Sequence, residues 1–327
     1  MASSETLIII PNAGSIDDTN YNYISGINYS RRGSELLSLL QGIGAVEFDR
    51  ENKFIFSNFY VNGSDGKKTV YRLLGYIAEG IIVRECNDDL DINRKWADYA
   101  RRMWKFDSDN SLLSSISYEE LYPEDPDKYI AVGTGFSSTR YGVHKWAYNS
   151  TNCRDICWIH EDNDGRQLMT IDDLHIVNQR FAGLQVKVSS SSSGTYVTNY
   201  FKNKTYHELY PVVYFDLGED FHVTRDKIYN LGSYEVKPQT IFSDDVNFQG
   251  YSRLSRDEIL EMMLVQGKYI APEIHDELMW HKYTLTKVIN ENISLDQLMD
   301  GDILTALIIE YITKSIEYQS PIILVSK

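Results

Sequence analysis

Thr69-Val-Tyr-Arg-Leu-Leu-Gly-Tyr-Ile-Ala-Glu-Gly-Ile-Ile-Val83 is the stretch on which the fold turns. Its valines, isoleucines and tyrosines favour extended chain, because branched and aromatic side chains sit well on a pleated surface. Lys53 to Val61 has a similar composition, and Asn62-Gly-Ser-Asp-Gly66 between the two supplies the residues of a tight turn. The pair predicts a β-hairpin and, with it, a β-rich body.

Outward from this hairpin the pattern is mixed. Leu7 to Ile10 predicts a buried strand closed by Pro11-Asn-Ala-Gly14, and Ser34 to Gln41 a short helix ended by Gly42. Ile92 to Phe106 has helical periodicity, and the proline- and acid-rich Tyr122-Pro-Glu-Asp-Pro-Asp127 predicts a linker after residue 121. Tyr129–Val132, Leu184–Val188, Thr195–Phe201 and Pro211–Phe215 are expected to be strands, with Ser189-Ser-Ser-Ser-Ser-Gly194 as a polar tip between two of them.

From about residue 254 helix signals dominate. Ser255 with Glu258, and Ser294 with Gln297, have capping-box spacing, and Pro272 suits a first helical turn. Ile274, Leu278, His281, Leu285, Val288 and Ile289 share one face, and Asp302 to Tyr318 is expected to be a buried helix. The expected class is α+β: a β-rich body of antiparallel or mixed sheets with a C-terminal helical bundle, in regions 1–121, 122–253 and 254–327.

Charge narrows the partners. Forty-seven acidic residues against 32 basic ones leave a net charge of -15, which repels nucleic acid and anionic membrane except where a basic patch is local. The three cysteines, an odd number in a long chain, fit reduced thiols in the cytoplasm. No apolar run approaches the about 20 residues that span a bilayer, and Met1 to Thr6 lacks a basic leader. A soluble protein, cytoplasmic or carried in a virion, is the expectation.

Each motif fails on spacing. Gly63-Ser-Asp-Gly-Lys-Lys-Thr69 is like a phosphate loop, but its first glycine is misplaced and a strand rather than a helix is expected after it. Val132-Gly-Thr-Gly-Phe-Ser-Ser138 has serine where a dinucleotide fingerprint needs its third glycine. Cys153, Cys157 and His160 would share a helical face, yet a closed zinc site needs a fourth ligand. As a thiol nucleophile with its base, the same residues would need Asp162 or Asp164 to orient the histidine. The turn His160-Glu-Asp-Asn-Asp-Gly165 has two of the oxygen ligands of a calcium loop but lacks its first and twelfth. Glu273, Glu277 and His281 recur every four residues, with His281 on the apolar stripe as a core histidine. No metal, cofactor or catalytic set is therefore expected, and a Cys157/His160 hydrolase is the enzyme alternative.

Two features exceed their background. Arg94, Lys95, Arg101, Arg102 and Lys105 would form a cationic helix face, a docking surface for an acidic partner such as a neighbouring subunit or, locally, nucleic acid. Twenty-four tyrosines, with clusters such as Tyr21, Tyr23 and Tyr29, suit contacts that are wet before assembly and dry after it. The Asn-, Ile- and Tyr-rich, acidic, motif-poor composition is similar to that of some viral capsid or occlusion-body proteins. The expectation is a self-associating structural protein rather than an enzyme, meeting further copies or other structural subunits, with a small binding or effector module as a further alternative.

Overall fold

The computed structural model describes residues 6–11, 21–24, 29–57, 65–101, 125–149, 154–170, 181–189, 194–202, 210–218, 221–230, 263–290, 293–300, 303, 306–307, 310–311 and 323–326. Helices and small sheets are interspersed, so the class is mixed α and β. Contacts divide the chain into two compact units, one made of 1–41, 45–70 and 280–327, the other of 42–44 and 71–279.

In the first unit β1 (Thr6–Pro11) is flanked by β2 (Tyr21–Ile24) and by the C-terminal strand Ile323–Ser326, all antiparallel. Helix α1 (Tyr29–Ile43) buries Leu36, Leu37 and Leu40 at helical spacing. It stops where Gly44 turns to φ +89° and the Ala45 N–H reaches back to the Leu40 carbonyl at 2.8 Å. The hairpin here is not the predicted one: β3 (Val46–Phe48) pairs with β4 (Phe54–Phe56) around Asp49 to Asn52. Asp49 closes that turn by accepting the N–H groups of Glu51 and Lys53, and Asn52 takes φ 59°. The Ser294–Gln297 box forms reciprocally, at 2.8 and 3.4 Å, but opens a short 3-10 turn at Asp296–Met299. Leu307 is buried, while Ala306 in the same stretch is exposed.

The decisive correction is α2, Gly66–Asp88: the predicted strand Thr69–Val83 is helix. Val70, Leu73, Leu74, Ile77, Ala78, Ile81, Ile82 and Cys86 are buried, pairs that recur every four residues as one helical face requires. From Ile77 to Ile82 every residue is buried, so the helix is central, and a central helix resembles a buried strand in its run of apolar residues. The helix start also reopens the phosphate-loop spacing, and Asp65 closes it. Its carboxylate accepts the Lys68 N–H at 3.1 Å and pairs with the Lys68 ammonium, so the chain's own anion occupies the amide-rich end.

The second unit holds a two-stranded antiparallel sheet and a three-stranded parallel one. After α3 (Leu90–Ala100), β5 (Tyr129–Gly133) runs antiparallel to β6 (Ile156–His160), with Tyr129 opposite His160 and Gly133 opposite Ile156. A bridge from Ile156 to Leu184 carries the pairing on to β7 (Gln185–Ser189). β7 and β8 (Val212–Asp216) are parallel, joined through a helix at Gly194–Lys202, and β9 (Leu264–Gln266) lies parallel on the far side of β8. The expected strand Thr195–Phe201 is therefore that crossover helix, as a parallel pair demands. Every residue of β6 and β8 is buried, which marks strands covered on both faces. In this unit the helix of Pro272–Asn290 opens with proline as predicted and buries Ile274 and Leu278; in the other its continuation buries His281, Leu285 and Val288, with Ile289 half-buried.

Candidate functional site

Three side chains of the second unit meet at one carboxylate, and a fourth senses its charge. Asp155 stands one residue before β6, at the bridge where β6 and β7 part. Its Oδ2 accepts the Val186 N–H at 2.8 Å and the Lys187 ammonium at 2.8 Å, and its Oδ1 accepts the Gln185 side-chain amide at 3.1 Å. Strand alternation puts Gln185 and Lys187 on one face of β7, so both reach the same carboxylate. The Asp155 backbone is held as well. Its carbonyl accepts the Thr134 N–H at 2.9 Å, while the Thr134 hydroxyl donates to the Arg154 carbonyl at 2.5 Å. Val132-Gly-Thr-Gly135 thus serves to fix Asp155. The helix after it, Ser137–Tyr141, is a single turn, and β5 and β6 are antiparallel, which removes the dinucleotide reading.

The fourth member is Glu79, in the buried middle of α2 and only 7% exposed. It makes no hydrogen bond to a described residue. Burial, and then the Asp155 charge, push its carboxyl well above the usual range, against the smaller opposing effect of Lys187. Tyr76, one turn earlier, is raised by burial and then by the charges of Glu79 and Asp155. One carboxylate thus holds an amide, an ammonium and a backbone N–H, and the buried carboxyl of Glu79 responds to its charge.

The residues singled out from sequence fare differently. Cys157 lies on β6, packed with Val132, Ala147 and Ile159, and burial pushes its thiol up to about 11. His160 is three positions along the same strand and therefore on the other face, so the two do not form a nucleophile and base. Cys153 lies outside the described residues. His160, Asp162 and Asp164 do come within 4.8 Å of one another, but Arg166 already joins them. Its guanidinium donates to Asp164 at 2.5 Å, to Asp162 at 3.1 Å and to the His160 ring at 3.1 Å. An arginine of the chain thus bridges all three.

The three described members of the cationic face, Arg94, Lys95 and Arg101, each have a partner within the chain. Arg94 forms a two-pronged pair with Asp127 and a further one with Asp91. Lys95 donates to the Ile270 carbonyl and lies over the Trp96 ring, and Arg101 is 1% exposed and donates to the Met169 carbonyl. Arg102 and Lys105 lie outside the described residues, as do the side chains of Tyr21, Tyr23 and Tyr29. Among tyrosines with described side chains, Tyr141 and Tyr269 are largely exposed; the others are buried or half-buried.

Glu79, Asp155, Gln185 and Lys187 were not legible as a group. The signal lay in polar residues inside apolar runs: Glu79 within Leu73–Val83, Asp155 before Ile-Cys-Trp-Ile159, and Gln185 and Lys187 alternating with Val186 and Val188. No known protein family, characterised protein or solved structure matches the chain. Among the described residues no helix is long and apolar enough to cross a membrane.

Proposed function

We propose that the chain hydrolyses phosphodiester bonds of nucleic acid with a divalent cation held by Asp155 and Glu79. What supports this reading is the buried Glu79 carboxyl, whose pKa is raised by burial and by the charge of Asp155, a carboxylate itself paired with Lys187 at 2.8 Å. Carboxylate and amide oxygens without thiol or imidazole suit Mg²⁺ or Mn²⁺, and Mg²⁺ characteristically takes one or two carboxylates and leaves its other positions to water and substrate phosphate. With Asp155 and Glu79 both ionised, as a bound cation would require, the chain's own groups sum to one net negative charge. A divalent ion turns that into one net positive charge, which matches the single charge of a phosphodiester.

The chain's own groups then have separable tasks. Asp155, locked by Thr134 and Val186, presents a fixed carboxylate. Burial raises the Glu79 pKa, so a cation held there would compete with its proton and uptake would be coupled to pH. Lys187 places an ammonium beside the phosphoryl oxygens as charge builds on them, and Gln185 holds Asp155 in orientation. In the net reaction water adds to phosphorus, one phosphorus–oxygen ester bond breaks, and the products are a phosphomonoester and an alcohol. The cation would polarise the phosphoryl group and lower the pKa of a bound water.

The test is incubation of the full chain with labelled oligonucleotides in Mg²⁺, Mn²⁺ or EDTA. Cation-dependent cleavage is expected, and Asp155→Asn or Lys187→Ala should each reduce it by about 10²-fold or more. Cleavage that survives both changes, or EDTA, would sink the reading. Self-association through Tyr21, Tyr23 and Tyr29 is the second reading, supported by the 24 tyrosines of the chain.

A further inference from the structure

Residues 129–154, which lead into Asp155, contain no aspartate or glutamate, in a chain that carries 47 among 327. Within them Arg140-Tyr-Gly-Val-His-Lys-Trp146 alternates cations with aromatic or apolar residues. The structure turns this segment outward: Tyr141 is 76% exposed, Val143 75% and Trp146 37%. It is nevertheless held firmly. Asn163, at φ 53° on the turn after β6, accepts the Trp146 indole N–H at 2.6 Å and donates to the Val143 carbonyl at 3.2 Å. The Arg140 guanidinium lies 5.1 Å from the Tyr141 ring and 5.4 Å from that of Tyr148.

The cations of this ridge are not consumed. Arg140 and Lys145 form no ion pair with a described acid, and Asp162 and Asp164 on the facing turn are held by Arg166. The ridge also leads to the cluster. The Asn149 N–H donates to the Thr134 carbonyl at 2.8 Å, and Thr134 donates to Asp155.

We infer that the ridge from Arg140 to Tyr148 binds the single-stranded part of a nucleic-acid substrate, with bases stacked on Tyr141 and Trp146 and phosphates on Arg140 and Lys145. This rests on the phosphodiester-cleaving reading of the neighbouring cluster. Projecting aromatic rings need exposed base faces, which a duplex hides and a single strand offers. A phosphate backbone also supplies the anions that two unpaired cations on an acidic protein attract.

The experiment measures fluorescence anisotropy of a labelled oligothymidylate, and of a duplex of equal length, with the full chain in Ca²⁺. Cleavage of the same strand in Mn²⁺ is followed in parallel. Single strand should bind in preference to duplex. Tyr141→Ala should weaken single-strand binding about tenfold, as loss of one stacked base does, with the melting temperature unchanged. Lys145→Glu should weaken it at least as much, and Tyr141→Phe should restore it. Equal binding by Tyr141→Ala and wild type, preference for duplex, or binding to phosphatidylserine vesicles without oligonucleotide binding would overturn the inference. The two readings fail separately: normal Mn²⁺ cleavage with unchanged KM in Tyr141→Ala removes the ridge alone, whereas ridge-dependent binding without wild-type cleavage removes the cleaving site alone.

Discussion

Glu79 is a carboxyl placed where the fold disfavours its charge. Its pKa is raised in the folded chain, so the stability tied to its proton is complete below the ordinary carboxyl value and is lost as pH rises through the folded one. In EDTA the melting temperature of the wild type should fall as pH rises, and Glu79→Gln should remove that part of the fall. Adding Mg²⁺ should raise the wild-type melting temperature more at high pH than at low, since the cation displaces the proton, and should do little for Glu79→Gln. Scanning fluorimetry across pH checks both, and equal Mg²⁺ stabilisation of the two proteins would remove Glu79 from the site. Arg101 gives the opposite kind of test. At 1% exposure, Arg101→Glu should cost several kcal/mol and unfold the chain in a thermal melt, whereas a solvated docking residue would leave stability unchanged.

At the scale of elements, α2 joins stability to the site because it is buried on all sides between Ile77 and Ile82, the turn that also carries Glu79. Ile81→Ala and Leu74→Ala, both at fully buried positions, should each cost about 2–5 kcal/mol in urea unfolding. Near its C-terminus Glu85 is raised to about 7 by burial and then by Glu273 and Glu277 of the helix at Pro272–Asn290. Its contribution is therefore full below the ordinary carboxyl value of 4.5 and lost as pH rises through about 7. Glu85→Gln should melt higher than wild type at pH 8 and nearly alike at pH 4; a uniform shift at both would argue against this origin. Alternation alone could not distinguish α2 from a strand. Its branched residues favour β structure in isolation, but burial on all sides between Ile77 and Ile82 selects the conformation that satisfies its own backbone hydrogen bonds.

For the molecule as a whole, a net charge of -15 sets how nucleic acid could be held. Only Arg140 and Lys145 stand ready for phosphate on the proposed ridge, so about two counterions should be released per strand. The logarithm of affinity should then fall against the logarithm of salt with a slope of about -1.4, shallow for a nucleic-acid binder. Anisotropy titrations at several salt concentrations check it, and a slope several times steeper would mean that other cations carry the strand.

The mixed α and β class, the proline-led helix at Pro272, the strands at Tyr129, Leu184 and Pro211, and the Ser294–Gln297 box were all determined locally, by turn residues, caps and short-range periodicity. So was the failure of the zinc and calcium spacings to supply complete ligand sets. Tertiary structure decided the rest. Whether Thr69–Val83 and Thr195–Phe201 were strand or helix depended on which surfaces covered them. The partners of Arg94, Lys95 and Arg101 came from residues far along the chain, and no pattern within one helix could reveal them. Glu79, Asp155 and Lys187 lie 76 and 32 positions apart in order. Only the bridge between β6 and β7, and the helix packed in the same unit, bring their charges to one place, because electrostatic interaction depends on distance in space rather than along the chain.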